Sequence, residues 1–257
     1  MPNAAEVLLN SLGSTARGWR GTRVLTRQST QPDKPLKLYD IEACPYCRLV
    51  REVLTELDLD VMILPCPKGG TRYRAEAQAI GGKQQFPLLV DDNTGTVMYE
   101  SAAIIDYLAK TYRGRSRGAN RWLRPVSEMS SSLASAFRLR PTGISGMRVR
   151  ASTPPAGPLE LFSFESSPYS MAVRARLCEL ELPYLLRNTG KGGWKDIGPP
   201  SFRDKLFKGP MDTTRNRAWL AEHTGRVQLP YLIDPNTGTQ MYESADIIRY
   251  LDKTYAN

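Results

Sequence analysis

At 257 residues, with 41% hydrophobic and 24% charged side chains, the chain has the composition of a globular protein with room for two domains. No run of about 18 apolar residues is present to cross a membrane, no signal-peptide core is visible near Met1, and four cysteines do not make a disulfide scaffold. The net charge of +9 is uneven: residues 1–35 hold five Lys/Arg against two Asp/Glu and 113–158 hold nine against one, whereas 36–112 balance at −3 and 159–257 at +1.

The chain starts with a basic leader, residues 1–34. It is rich in Arg and Ser and poor in acid, as the tail of a transit peptide is, and an amphipathic helix is expected around Val7 to Leu12. Leu36 to Asp40 alternates as a strand. Pro45 opens a helix whose apolar stripe is Leu49, Val50, Val53, Leu54 and Leu57. A second strand is expected at Val61 to Leu64, a second helix at Arg72 to Ile80, and a third strand at Pro87 to Val90. Asp92-Asn93-Thr94-Gly95 turns into a fourth strand, Thr96 to Tyr99. Ser101 is expected to cap a last helix with the stripe Ile104, Ile105, Leu108 and Tyr112.

This βαβαββα series occurs twice. Leu36-Lys37-Leu38-Tyr39 matches Leu159-Glu160-Leu161-Phe162, and Asp91 to Tyr112 matches Asp234 to Tyr255 with 17 identities in 22 positions. Cys44-Pro45-Tyr46-Cys47 returns 123 residues later as Ser167-Pro168-Tyr169-Ser170, so one copy keeps two thiols where the other has two hydroxyls. Repeats bound the architecture before any other feature. The expected organisation is a leader (1–34), a first domain (35–113), a basic connector (114–157) and a second domain (158–257). About 20 extra residues, roughly Trp194 to Asp212, are inserted in the second copy and could cover its site or be decoration. Ser29-Thr30, Pro32 and Pro35 match Ser152-Thr153, Pro155 and Pro158, so the leader could itself belong to the repeat and be structural.

Cys44 sits at a helix start, where unpaired N–H groups favour a thiolate, and Cys47 lies one turn on. The pair is expected to cycle between dithiol and disulfide, with Cys44 as nucleophile and Cys47 as resolving thiol. Cys178 falls inside a helical pattern and reads as a structural thiol; Cys66, between two prolines, is not expected to be catalytic. His223 is the only histidine and no second cysteine pair exists, which argues against a zinc site.

A strand followed by Cys-Pro-Tyr-Cys at a helix start resembles the glutaredoxins. With Arg51, the Phe86-Pro87 step and the Tyr99-Glu100-Ser101 turn, the pattern is similar to the thioredoxin-fold N-terminal domain of glutathione transferases. Two such copies without a further domain resemble the tandem thioredoxin-fold proteins of plant and algal plastids. The resemblance implies an α/β fold of two thioredoxin-like domains, each with a mixed four-stranded sheet, without the transferase all-helical C-terminal domain. It implies a chloroplast location and glutathione as cosubstrate, with no metal.

For the first copy the resemblance implies a cis bond at Phe86-Pro87, with the Phe86 backbone meeting the cysteinyl part of glutathione. Glu100 and Ser101 would take the γ-glutamyl end, as anions suit a helix start. Tyr46, Lys68 and Lys83 complete the candidate set. The second-copy counterparts are Ser167, Tyr169, Leu229, Pro230, Glu243 and Ser244, with Arg226 the twin of Lys83. That copy could bind glutathione, as Ser-type transferases do, or be a degenerate structural one.

The reading this supports is a glutathione-linked thiol–disulfide oxidoreductase acting on protein or small-molecule disulfides. Two alternatives stay open: a non-catalytic scaffold or redox-sensing binding protein, and a glutathione transferase with a pocket between the repeats. The basic arms suit an anionic membrane surface or an acidic protein, or form a solvated linker; no nucleic-acid reader motif accompanies them.

Overall fold

The computed structural model describes residues 4–26, 31–113, 124–140, 143–193, 196 and 210–257. In the first repeat β1 (Leu36–Asp40) runs parallel to β2 (Val61–Pro65) across the helix α2 (Pro45–Glu56). After α3 (Arg72–Gly81), β3 (Leu88–Asp91) lies antiparallel to β1 and pairs with β4 (Thr96–Met98); α4 (Ser101–Arg113) closes the unit. The second repeat follows the same course through β7 (Leu159–Ser163), α6 (Pro168–Glu179), β8 (Tyr184–Asn188), α7 (Arg215–Thr224), β9 (Tyr231–Asp234), β10 (Thr239–Tyr242) and α8 (Ser244–Tyr255). Most of the inserted stretch 194–212 lies outside the described residues.

The two units do not keep separate sheets. β2 and β8 pair antiparallel, giving one eight-stranded sheet in the order β10-β9-β7-β8-β2-β1-β3-β4. The register is Val61 to Leu186, Met62 to Leu185 and Ile63 to Tyr184. Met62 and Leu185 are the same position of the repeat, so a pseudo-twofold axis passes between them. The pairing covers two apolar strand edges that isolated units would leave open to aggregation. One buried cluster accordingly contains residues of both repeats, from Leu36 and Val61 to Leu186 and Tyr255.

The arms between and before the repeats are folded. α1 (Ala4–Ala16) packs on α6, and α5 (Arg124–Ala136) packs on α2, so each arm helix lies on the helix of the repeat that it does not immediately precede. The two arm helices meet where a Cβ on Gly13 would stand 3.0 Å from the Ala134 carbonyl oxygen. A short hairpin, β5 (Leu139–Arg140) and β6 (Gly143–Ile144), follows α5. Arg23 then bridges to Lys191, and Arg148 to Lys68; the two lysines are twins. Gly21 and Gly146 hold matching places with φ of +71° and +76°. Gly21 presses on Glu165 and Glu52, and Gly146 on Ala175 and Glu42, the twins of those residues. A side chain at either would meet both an unfavourable backbone and a neighbouring chain.

The near-identical stretches 91–112 and 234–255 build a lock beside the Glu100 and Glu243 turns. Buried Asp91 accepts from the Asn93 backbone and amide and from the Tyr107 and Tyr112 hydroxyls, at 2.5 to 2.9 Å. Asp234 does the same with Asn236, Tyr250 and Tyr255, at 2.6 to 2.9 Å. Burial alone would raise the two carboxyls, but these donors hold both below the usual carboxylate range. We expect Tyr255→Phe to cost about 1.5–3 kcal/mol, the value of a hydrogen bond to a charged group. A depressed carboxyl stabilises above its unfolded pKa and stops doing so as pH falls through its folded one. The difference in urea midpoint should therefore be full at neutral pH and shrink below about pH 4.

Candidate active site

The sheet topology gathers the first-copy candidates at one end. Tyr39 of β1 pairs with Leu88 of β3, and Leu89 pairs with Met98 of β4. The loop after β1 that carries Cys44, the Phe86-Pro87 step before β3 and the Glu100 turn after β4 therefore share one edge. Lys68 follows β2, which is parallel to β1, and joins them. Because β2 and β8 are antiparallel, the equivalent edge of the second copy points the opposite way.

Cys44 is the N-cap of α2, with Pro45 in the first turn, an extended backbone (φ −70°, ψ 125°) and a partly exposed thiol. Cys47 is fully buried one turn later. The Cys47 thiol, together with the backbone N–H groups of Cys47 and Tyr46, brings the Cys44 thiol down to about 7 against the upward push of burial. Cys47 moves the other way, raised by burial and then by its bond to Cys44. One thiol is thus ionised near neutrality and its neighbour is not. Burial also raises Cys66 and Cys178, which stay far from thiolate character. Asp40 lies close enough to influence both thiols; burial lifts its carboxyl to about 6 despite the adjoining Arg51 guanidinium.

Phe86-Pro87 and Leu229-Pro230 are both cis. Glu100 and Glu243 have φ of +68° and +67°, a conformation rare for residues other than glycine. Glu100, rather than Ser101, ends up at the capping position: its carbonyl accepts from Ile104 at 2.9 Å, and α4 begins at Ser101. Ser101 and Ser244 are nearly buried in the first turns of their helices. Backbone strain repeated at the same place in both copies is the kind of outlier that points to function. Gln85 donates to the Glu100 carboxylate, and its twin Gln228 donates to Glu243.

These glutamines were not singled out from the sequence, although each stands two residues before a predicted cis proline. Arg74 was missed as well. Its guanidinium lies 4.9 Å from the Phe86 ring centre and donates to the Cys66 carbonyl at 3.0 Å. Lys83 and Arg226 each stand over the tyrosine of their own copy, at 5.2 Å from Tyr99 and 4.0 Å from Tyr242. The Lys68 side chain is exposed, while its backbone bonds Met147 and Val149 of the connector. Tyr46 and Tyr169 are both about half exposed.

In the second copy Ser167 caps α6 and accepts from the Ser170 hydroxyl at 2.9 Å and the Ser170 backbone at 3.4 Å. Ser167 is only 4% exposed. α1 holds its surroundings: Asn10 donates to the Pro168 carbonyl at 3.0 Å and Ser14 to the Ser166 carbonyl at 2.9 Å. In the first copy α5 supplies one such bond, Ser131 to the Pro45 carbonyl at 2.7 Å.

Arg51, part of the sequence pattern, is turned into the interior. Arg51 and its twin Arg174 lie fully buried near the pseudo-twofold axis with the twin carboxylates Glu42 and Glu165. Arg51 reaches Glu165 at 2.9 Å and Glu42 at 3.3 Å, and Arg174 reaches Glu165 at 3.0 Å and Glu42 at 3.2 Å. Arg138 joins Glu42 at 2.6 Å, and Arg17 joins Glu52 at 2.6 Å. Part of the arms' basic charge is therefore consumed in the interior and is not a solvated linker.

Among the described residues no group of three His, Cys, Asp or Glu could hold a metal ion, and no helix is long and apolar enough to cross a membrane. Residues 38–116 and 161–257 each match the family model for the glutathione S-transferase N-terminal domain. Two solved structures of the Bombyx mori glutathione transferase BmGSTD1, one in complex with GTT, are 28% identical over 32% of this chain, with a TM-score of 0.29. The match spans 38% of the silkworm chain. Leishmania TDR1, a trimeric glutathione transferase, is 14% identical over 87% of this chain and 68% of its own, with a TM-score of 0.27. No curated protein matches the chain.

Proposed function

Since the chain belongs to the glutathione S-transferase N-terminal domain family, we propose that it is a glutathione-linked thiol–disulfide oxidoreductase that works through Cys44. The observation that carries this reading is the split between two adjacent thiols, one brought down to about 7 at a helix start and the other buried and raised. In the first step the Cys44 thiolate attacks the glutathione sulfur of a glutathionylated thiol. A Cys44–glutathione disulfide forms and the substrate leaves as thiolate. A second glutathione thiolate then attacks that disulfide, releasing oxidised glutathione and restoring the Cys44 thiolate. On a protein disulfide, Cys47 instead attacks the mixed disulfide, loses its proton and closes the Cys44–Cys47 bond, which two glutathiones later reduce.

The strained Glu100 turn and the start of α4 offer a carboxylate for the ammonium and N–H donors for the carboxylate of the γ-glutamyl group. Phe86, at the same sheet edge, would align the cysteinyl backbone. The second copy reads as the partner that completes the fold: Ser167 cannot form a disulfide, and α1 packs closely over its helix start.

The test is the pH dependence of iodoacetamide alkylation of Cys44, with and without glutathione present. The rate should rise as pH increases through about 7, because the thiolate reacts, and S-hexylglutathione, which has no free thiol, should slow it. A midpoint at the ordinary value of about 8.5, or no protection, would overturn the reading. Family membership also supports a transferase; conjugation of a model electrophile that survives Cys44→Ser would favour that assignment instead.

A further inference from the structure

One buried guanidinium plays no part in the site described above. Arg48, on α2, is 1% exposed, and its two terminal nitrogens, Nη1 and Nη2, make no hydrogen bond among the described residues. Only Nε is engaged: it lies 3.4 Å from Glu52 and 3.9 Å from Glu165. Both carboxylates have closer partners, Arg17 at 2.6 Å for Glu52 and Arg51 and Arg174 at 2.9 and 3.0 Å for Glu165. Buried donors are almost always matched, and leaving a charged one unmatched is costly.

Charge balance points the same way. Among the described residues, ion pairs link five buried guanidiniums, Arg48 with Arg17, Arg51, Arg138 and Arg174, to four buried carboxylates, Asp40, Glu42, Glu52 and Glu165. Arg20 and Glu56, at the edge of this network, add one charge of each sign. One positive charge is left over in the interior. Burial holds the Arg48 pKa below the usual guanidinium range, although Glu165 and Glu52 raise it. The fold itself does not call for a cation here. The twin of Arg48 is Met171, equally buried, whose sulfur lies 3.7 Å from the Ser14 hydroxyl of α1.

Arg48 lies on the side of α2 that meets α5: three residues earlier, the Pro45 carbonyl accepts from Ser131 of α5 at 2.7 Å. The two Nη groups of a guanidinium share one edge of its plane, so a single acceptor can take a bond from each. We infer that Arg48 is the base of an internal site for one small monovalent anion, of the chloride type, which completes the charge balance of the network. A divalent anion would only reverse the excess. Because both nitrogens are sealed from solvent, the anion is enclosed as the chain folds, and its effect should be read in stability.

The experiment is thermal unfolding of the full chain over a titration of sodium chloride, with sodium gluconate keeping the ionic strength constant. With chloride at about ten times its dissociation constant, the wild-type midpoint should stand about 3–6 °C above its value in gluconate alone. Arg48→Met, which installs the side chain of the second copy, should give the same midpoint in both salts. A crystal grown in bromide should place an anomalous peak within hydrogen-bonding reach of Arg48 Nη1 and Nη2, a check that holds even if the variant does not fold. Equal wild-type midpoints in the two salts overturn the inference, and water then serves those nitrogens. So does a chloride effect that Arg48→Met retains, or bromide found only at the protein surface. None of these readouts involves turnover, so they stand apart from the redox reading.

Discussion

Replacing Arg174 by Met is expected to lower stability by about 3–5 kcal/mol, the usual cost of removing one partner from a buried ion pair. Arg174 is fully buried and donates to the Ser163 hydroxyl at 2.8 Å and the Glu165 carbonyl at 2.9 Å, besides the carboxylates of Glu42 and Glu165. Burial pushes both carboxyls up, and Arg174 followed by Arg51 pulls them down, so each stays below the usual range. Their contribution is present above the unfolded carboxylate pKa and fades as pH falls through the folded values. The loss caused by Arg174→Met should therefore be full at neutral pH and shrink in acid.

Position adds a second expectation. Arg174 belongs to the second repeat and Glu42 to the first, and one sheet and one core run through both. Guanidinium denaturation of the wild type should show one transition, and the variant should keep one transition at a lower midpoint. The paired change Glu42→Leu with Arg174→Leu should recover only part of the loss, because it removes one charge of each sign but takes from buried Arg138 its Glu42 partner. An unchanged midpoint in Arg174→Met, or two separate transitions in the wild type, would remove the cluster as the weld between the repeats.

The elements within each repeat were legible because their signals are local. Pro45 and Pro168 at helix starts, Gly95 and Gly238 at φ of +70° in the hairpins, and the alternation of Leu36–Asp40 need only neighbouring residues to be read. The convergence of Cys44, Phe86-Pro87 and Glu100 was also expected, through the family pattern. The long-range joins were not. β2 and β8 are short apolar runs that fit a strand buried in one sheet or lying at its edge, so nothing local announces that they pair. The arms misled for a related reason. Arg17 and Arg138 count as positive charge in basic segments, yet their partners Glu52 and Glu42 lie 35 and 96 residues away. One clue was present: Glu42 and Arg51 recur as Glu165 and Arg174, a charge pair kept through the duplication. A duplicated charge pair at an interior position implies a partner across the duplication. Conversely, much of the most similar stretch of the repeat is explained by the Asp91 and Asp234 locks, so high internal identity there marked structure as well as the Glu100 and Glu243 turns.

Cys44→Ser should reduce turnover of a glutathionylated peptide by roughly a thousandfold or more, the scale of loss when a covalent nucleophile is removed. Serine keeps the capping geometry, as Ser167 in the second copy demonstrates with its bonds from Ser170. Stability should then barely change, and the loss can be assigned to the sulfur. Cys47→Ser separates the two routes. Deglutathionylation needs only Cys44 and external glutathione, so it should survive, whereas reduction of a protein disulfide through an internal Cys44–Cys47 bond should fall to the rate that glutathione alone supports. The same substitution also tests what sets the Cys44 alkylation midpoint. The Cys47 thiol is the strongest single influence lowering Cys44. If the serine hydroxyl donates in its place the midpoint stays near 7; if it turns to another acceptor the midpoint rises. Either way the alkylation profile and the deglutathionylation profile must shift together, because both report the same thiolate. Turnover that persists in Cys44→Ser, or two profiles that part company in Cys47→Ser, would place the reactive sulfur elsewhere, and with Cys66 and Cys178 buried and raised, no other thiol in the chain is prepared to take its place.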